Sequence, residues 1–319
     1  MVGKFSDETK MSGSRIGTLY CWKYADGHPF QTPNDELRRS IAAKNGESTL
    51  TDIGEPGAVG NLLESVLIDD AAERLGLEPP STDAASLIER TAYYEASLDG
   101  LCAQNRPLTI KAREGVEIID LEENRSLDEI EVSGLIPIEC KCTSAYPDGP
   151  PPLYRGPIQL HMQMMAANAN FGIIVSLHRS IERRITIYKR SPTVCERIIE
   201  LCKDFSERVE SETFYPPVSV DDASANVPDE PGIECDLTDL DDDIERLESL
   251  RSERDAVNQA IEETELRIME TMGDAQRGNS TRYVVDWPLR NYKAQPEKVT
   301  PAREARTIRL KSLKIKPKI

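Results

Sequence analysis

Aromatic residues make up only 5% of this 319-residue chain, and histidine occurs three times. With so few rings, the core has to be built mainly from aliphatic side chains. His28, His161 and His178 are scattered, with no pair at metal-binding spacing, so each reads as a structural or surface residue. The seven cysteines are odd in number and include no Cys-x-x-Cys pair. That argues against a disulfide framework or a zinc ribbon and for reduced thiols. No run approaches the apolar length of a membrane span, and Met1–Asp7 lacks the apolar core of a secretory signal. The expectation is a cytoplasmic chain with no membrane association. A phosphate-binding Gly-Lys-Ser/Thr loop and a dinucleotide fingerprint are both missing, so neither ATP nor NAD is indicated. Positive charge is short as well: 39 Lys and Arg stand against 56 Asp and Glu, for a net charge of −17. That balance counts against broad phosphate contact. The charge is uneven, however, being densely acidic from Asp221 to Asp243 and basic from Arg303 to Lys318. A channel inside an acidic protein can still be locally positive.

What is present suits one sizeable domain with an appendage, or two domains. Ser12-Gly13-Ser14-Arg15-Ile16-Gly17 opens a helix with Ser12 or Ser14 as N-cap. A second helix follows the Thr32-Pro33 break at Asn34–Lys44; its Arg38, Arg39 and Lys44 read equally as phosphate contacts or as solvated charges. Gly60–Gly76 is an amphipathic helix with apolar Leu62, Leu63, Val66, Leu67, Ala71 and Leu75. Thr91–Cys102 reads as a strand, Leu108–Leu121 as further β-structure, and Glu122–Gly134 as an acidic loop or short helix. Ile136–Thr143 is a short strand, Thr143–Pro157 a Pro/Gly-rich loop and Gln159–Ala169 a helix. Phe171–Leu177 and Arg183–Lys189 are strands, the first buried on both faces. A helix at Pro192–Glu210 and the Pro216-Pro217 pair close the domain. The order is that of an α/β fold, a mixed central sheet flanked by helices. The boundaries are a domain at 1–217, an acidic linker at 218–239 and a C-terminal helical/β appendage at 240–319 with a basic tail. A phase slip near Leu250 in Leu240–Met272 favours a helical hairpin or packing helix over a long coiled coil. Tyr283–Trp287 reads as a strand.

The stretch with chemistry in it is Ile136-Pro137-Ile138-Glu139-Cys140-Lys141-Cys142-Thr143. On a strand, Glu139 and Lys141 share a face. Alone they read as a salt-bridged edge. Three other stretches change that weighting: Gly60–Leu67 with Glu64, Ser97-Leu98-Asp99-Gly100-Leu101-Cys102, and the helix Gln159-Leu160-His161-Met162-Gln163-Met164-Met165.

The order of these four pieces resembles the PD-(D/E)xK nucleases, and within them the lambda exonuclease and YqaJ-like viral recombinases, from about Ser12 to Pro217. The Asp-Gly-Leu-Cys and Glu-Cys-Lys-Cys pieces are the most specific. The resemblance implies that Asp99 and Glu139, with the Cys140 carbonyl, hold Mg²⁺ (Mn²⁺ as substitute), and that Glu64 serves a second metal or metal-bound waters. It implies Lys141 as the group that activates water and stabilises charge, and Gln159 as a helical amide that hydrogen-bonds the nucleophile or the terminal phosphate. Ser14, Arg15 and Ser97 are expected to hold a terminal 5′-phosphate. The spacing from Asp99 to Glu139 exceeds that of lambda exonuclease, which makes Asp120 and Asp128 competitors for the Asp99 role. The implied activity is 5′-to-3′ digestion of linear duplex DNA ends, with a single-strand annealing protein as partner, a homo-oligomer such as a ring trimer, and a phage or prophage origin. Rival readings are an endonuclease of the same fold and a non-catalytic DNA-binding or assembly protein built on it.

Overall fold

The computed structural model describes residues 7–47, 54–82, 88–146, 148–225 and 234–289. The chain forms two compact units, Met1–Asp222 and Ala223–Ile319.

In the first unit the elements follow in chain order as β1 (Met11–Ser12), α1 (Gly13–Tyr24), α2 (Pro33–Lys44), α3 (Gly54–Leu75), β2 (Ile88–Arg90), β3 (Tyr94–Ser97), β4 (Gly100–Lys111), β5 (Val116–Asp120), β6 (Arg125–Ser126), β7 (Glu129–Thr143), α4 (Pro157–Ala166), β8 (Phe171–His178), β9 (Glu182–Lys189), α5 (Pro192–Ser211) and α6 (Val220–Ala225). A six-stranded mixed sheet in the order β4-β7-β8-β9-β5-β6 lies at the centre. β7 runs parallel to β8 and β5 to β9, while β4–β7 and β8–β9 are antiparallel. This is the mixed sheet flanked by helices that the sequence order predicts.

Side-chain alternation assigns the two faces. One face gathers Ile136, Ile138, Ile173, Val175, Ile185 and Ile187 under Leu67, Ile68, Ala71, Ala72 and Leu75 of α3. The other carries Ile174 and Tyr188 against Leu160 and Met164 of α4. A separate cluster joins Ile16 and Leu19 of α1, Met162 of α4 and Ile198, Leu201 and Phe205 of α5. Fully buried Met162 and Met164 are core filling, as their helical spacing suggests.

Several elements depart from the sequence expectation. α3 starts at Gly54, and its Leu62 and Val66 are 71% and 61% exposed. Its buried stripe begins at Leu67, where the sheet starts. The segment expected as a loop or short helix at 122–134 is instead a turn with β6 followed by the start of the 15-residue β7, which alternates buried Ile130 and Val132 with exposed neighbours. Residues 91–102 are not one strand: β3 ends at Ser97 and β4 begins at Gly100. The extra residues between Asp99 and Glu139 extend the β4–β7 hairpin to the Lys111–Glu129 pair and also supply β5 and β6 at the opposite edge. The acidic linker does not begin at 218. Asp222 of α6 is buried, and its carboxylate accepts from Asn34 Nδ2 (2.9 Å) and Arg38 Nη2 (2.9 Å).

The second unit contains α7 (Asp241–Met272), β10 (Arg277–Asn279) and β11 (Val284–Asp286). α7 is one continuous helix of 32 residues, not a hairpin, with none of its residues buried. β10 and β11 pair as an antiparallel hairpin. The basic tail at 303–318 lies outside the described residues.

Candidate active site

The site grows from the mouth of the β4–β7 hairpin. Gly100 pairs with Ile138, so Asp99 stands just ahead of β4 beside Glu139. The backbone N–H of Cys140 donates to Asp99 Oδ2 at 3.0 Å, which locks that carboxylate to β7. Gly100 is what allows the approach on the far side: a Cβ there would lie 2.8 Å from Ile68 Cγ2 of α3. That contact brings α3, and with it Glu64 one turn before Ile68, toward the hairpin mouth. Glu64 is half-buried and adds with Asp99 and Glu139 to the field that raises the Cys140 thiol pKa, burial being the main cause.

Glu139 and Lys141 point to the α4 face. Gly156, at φ +124°, turns the chain into α4, whose first residue is Pro157. Gln159 and Gln163, four apart on that helix, both face β7. Lys141 Nζ donates to Glu139 Oε1 (2.6 Å) and to Gln159 Oε1 (2.9 Å). Gln163 Nε2 donates to Glu139 Oε2 (2.5 Å) and to the Ser97 carbonyl (2.9 Å). Both oxygens of Glu139 are therefore held, one from the strand and one from the helix. The Glu139 side chain is 3% exposed and that of Lys141 27%, while Asp99 is half-buried, so the group is open to solvent on the Lys141 and Asp99 side.

Burial pushes the Glu139 carboxyl up, to about 7; Asp99 adds to the rise and Lys141 opposes it. For Lys141, burial works against the charged form, but Glu139 outweighs it and the ammonium pKa ends above its ordinary value. Lys141 is thus a held cation rather than a free amine. Among the described residues, no group of three or more His, Cys, Asp or Glu side chains converges tightly enough to hold a metal ion. Asp99 and Glu139 are oxygen donors, the kind a hard divalent cation takes. Mg²⁺ needs only one or two carboxylates beside its waters, and the Asp99–Glu139 repulsion is one that such a cation relieves.

The helix start lies next to this group. A Cβ on Gly13 would meet Gln159 Cγ at 3.3 Å, and Ser12 Oγ and the exposed Ser14 Oγ are 3.2 Å apart. Ser12 N-caps α1 without a side-chain hydrogen bond to its N–H groups. Ser97 joins the site through its carbonyl. Arg15 does not join it, which corrects the expectation that it meets a phosphate. Its guanidinium is buried, with Nε on Glu36 Oε2 (2.5 Å), Nη2 on the Glu36 carbonyl (2.6 Å) and Ser40 Oγ (2.9 Å), and Nη1 on the carbonyls of Glu8 (3.2 Å) and Lys10 (3.1 Å). Every guanidinium donor is used within the α1–α2 corner. Arg38, Arg39 and Lys44 are partly exposed and bonded within the chain, to Asp222, Glu8 and the carbonyls of Val209 and Glu210.

Asp120 is excluded as the second acid. It sits on β5, three strands from β7, buried and paired with Lys189 Nζ at 2.9 Å. Asp128 lies exposed just ahead of β7, at the end of the hairpin away from Glu139.

The chain is similar in structure to an alkaline exonuclease, LHK-Exo. Its complex with dAMP shares 16% identity with this chain, covers 65% of it and 90% of the other, and gives a TM-score of 0.43. A second crystal structure of this alkaline exonuclease, from Laribacter hongkongensis, gives 15% identity, the same coverage and a TM-score of 0.39. A third structure, SSO0001, gives 14% identity over 67% of this chain and 81% of the other, with a TM-score of 0.33. No protein-family model matches the chain, and no curated protein matches it.

Gln163 is the site residue that sequence reasoning underweighted. The signal was its i+4 spacing from Gln159 in an otherwise apolar helix. The fully buried His161 lies on another face of α4, its ring Nδ1 2.7 Å from the Pro157 carbonyl, and is structural. No helix among the described residues is long and apolar enough to cross a membrane.

Proposed function

We propose that this chain is a divalent-metal-dependent deoxyribonuclease that degrades linear duplex DNA from its ends, 5′ to 3′, leaving 3′ overhangs for strand-annealing recombination. The observation that carries the reading is the grouping of Asp99, Glu139 and Lys141 at one hairpin mouth, with Gln159 and Gln163 closing it from α4. Mg²⁺ held by Asp99, Glu139 and the Cys140 carbonyl would neutralise charge on a scissile phosphate and make water a better nucleophile; Mn²⁺ would substitute. Glu64 approaches from the α3 face, suited to a second metal or to metal-bound waters.

The remaining work falls to this chain's own side chains. Lys141 supplies a fixed positive charge that stabilises negative charge developing on the phosphoryl oxygens. Gln159 fixes the ammonium by accepting one of its hydrogens. Gln163 keeps Glu139 from turning away. The N–H groups at the start of α1, with the Ser14 and Ser97 hydroxyls, suit a terminal 5′-phosphate. Assembly as a homo-oligomer, a ring trimer included, and a single-strand annealing partner belong to the same reading.

The test is digestion of linear duplexes labelled at either 5′ end, with and without Mg²⁺, beside a closed circle. End-dependent release of 5′ label only with Mg²⁺ is expected. Cutting of the circle would favour an endonuclease, and no cutting at all would favour a binding or assembly protein. Asp99→Ala, Glu139→Ala and Lys141→Ala should each abolish cleavage, with duplex binding kept in the Lys141 variant.

A further inference from the structure

A cleft of about 290 Å³ opens directly beyond Lys141, between the β7–α4 loop and the end of β8. That volume sits at the lower edge of the range of small-molecule sites, roughly 300–1,000 Å³. It suits a single nucleotide rather than a base pair with both its backbones. Its walls combine rings with cations: Tyr146, Tyr154, Arg155, His178 and Lys141 line it, Asp148 being the acid among them.

Neither tyrosine ring lies in the core: Tyr146 is exposed and Tyr154 half-buried. Tyr146 is 73% exposed, and the Arg179 guanidinium lies over its face, 4.1 Å from the ring centroid. Tyr154 is backed edge-on by His28, with ring centroids 4.9 Å apart, and by Phe30, itself 78% exposed. In a chain with only 5% aromatics, Tyr146 and Tyr154 both stand outside the core in the wall that also carries Lys141.

The backbone is also bent to place Arg179. The β8–β9 turn closes with the Ile181 N–H on the His178 carbonyl at 3.1 Å, and both central residues, Arg179 and Ser180, have positive φ (51° and 62°). Such a turn normally takes Asn-Gly. Here a strained position is occupied by a long cation that reaches a tyrosine ring. His178 completes the wall, its ring bridging Ser176 Oγ (3.0 Å) and the Ala145 carbonyl (3.2 Å), which fixes the loop that carries Tyr146.

We propose that this cleft binds an unpaired nucleotide of single-stranded DNA, its base stacked on Tyr146 or Tyr154 and its phosphates drawn by Arg155, Arg179 and Lys141. Aromatic faces accept any base, and cations track the backbone, so the site selects unpaired over paired strands without reading sequence. This deepens the nuclease reading and rests on it for biological purpose. The cleft would hold the strand that has come apart next to the catalytic lysine.

The test is fluorescence anisotropy of the full-length chain in EDTA, where no cleavage is expected. A labelled oligothymidylate is compared with an abasic oligomer of the same length and phosphate count. The oligothymidylate should bind about tenfold more tightly. Tyr146→Ala should narrow that gap severalfold while Tyr146→Phe keeps it, and Arg179→Ala should weaken both oligomers. Thermal melting checks that each variant is folded. Equal binding of the two oligomers by the native chain, or an undiminished gap in both Tyr146→Ala and Tyr154→Ala, would overturn the proposal. Duplex cleavage is read separately. Cleavage without base-dependent binding sinks the cleft alone, whereas base-dependent binding without cleavage sinks the nuclease reading and leaves the cleft standing.

Discussion

Gln163 ties Glu139 to the chain just ahead of Asp99: the same amide nitrogen donates to Glu139 Oε2 at 2.5 Å and to the Ser97 carbonyl at 2.9 Å. One helical side chain thus sets the spacing between the end of β3 and the acid on β7. Gln159, one turn earlier, accepts from Lys141 instead. Gln163→Ala should therefore lower the cleavage rate by about one to two decades, the cost of losing a hydrogen bond to a charged group of about 1.5–3 kcal/mol. Gln159→Ala should cost less at saturating metal. Single-turnover rates on labelled duplex separate the two, and a larger loss in the Gln159 variant would assign the anchoring role to the wrong glutamine.

Arg15 and Glu36 form a buried pair, with side chains 8% and 3% exposed. Arg15→Ala leaves Glu36 without its cation in the interior and should destabilise the fold by about 3–5 kcal/mol. Urea unfolding measures this directly. Ser14→Ala, by contrast, should leave stability within about 0.5 kcal/mol and reduce any preference for 5′-phosphorylated over 5′-hydroxyl ends. A folded, fully stable Arg15→Ala protein would contradict the structural assignment.

Gly100 is a contact requirement rather than a turn requirement. A methyl there would press on Ile68 at 2.8 Å, so Gly100→Ala should displace α3 and cost about 1–3 kcal/mol through overpacking. Combining it with Ile68→Val should return part of that loss, because the clash involves the Cγ2 and Cδ1 methyls of Ile68 and the second of these is removed. A double-mutant cycle that gives no coupling would show that the two residues do not meet.

Burial lowers the His161 pKa from 6.5 to about 4, while the Pro157 carbonyl works against the shift. The folded state therefore keeps His161 neutral where the unfolded chain protonates it. Its contribution is fully present above the unfolded pKa and is lost as pH falls from 6.5 toward 4. Between pH 6.5 and 5 this single group should remove about 1.5 kcal/mol of stability. His161→Gln, which can still donate to Pro157, should flatten that part of the profile in urea unfolding at stepped pH. An unchanged slope would mean that His161 is not held neutral.

The sequence by itself determined the strands with strong alternation or unbroken apolar runs, the helices with clear caps, and which of the proposed site residues share a face. Glu139 and Lys141 share a face because strand periodicity allows nothing else, and Gln159 and Gln163 share one because helix periodicity does. Which acid answers Glu139 was open between Asp99, Asp120 and Asp128. Only strand pairing decided it, since register is a long-range property: Gly100 meets Ile138, while Asp120 is carried to β5 beside Lys189. Arg15 shows the same limit from the other side. Its neighbours in sequence suggested a cation at a helix start, but the packing of α1 on α2 turned it inward to Glu36. The reach of the first unit to Asp222 was also hidden, because a short acidic helix looks like a linker until Asn34 and Arg38 are placed beneath it. Local periodicity fixes which side chains lie together on one element; only the meeting of elements distant in the chain fixes what they face.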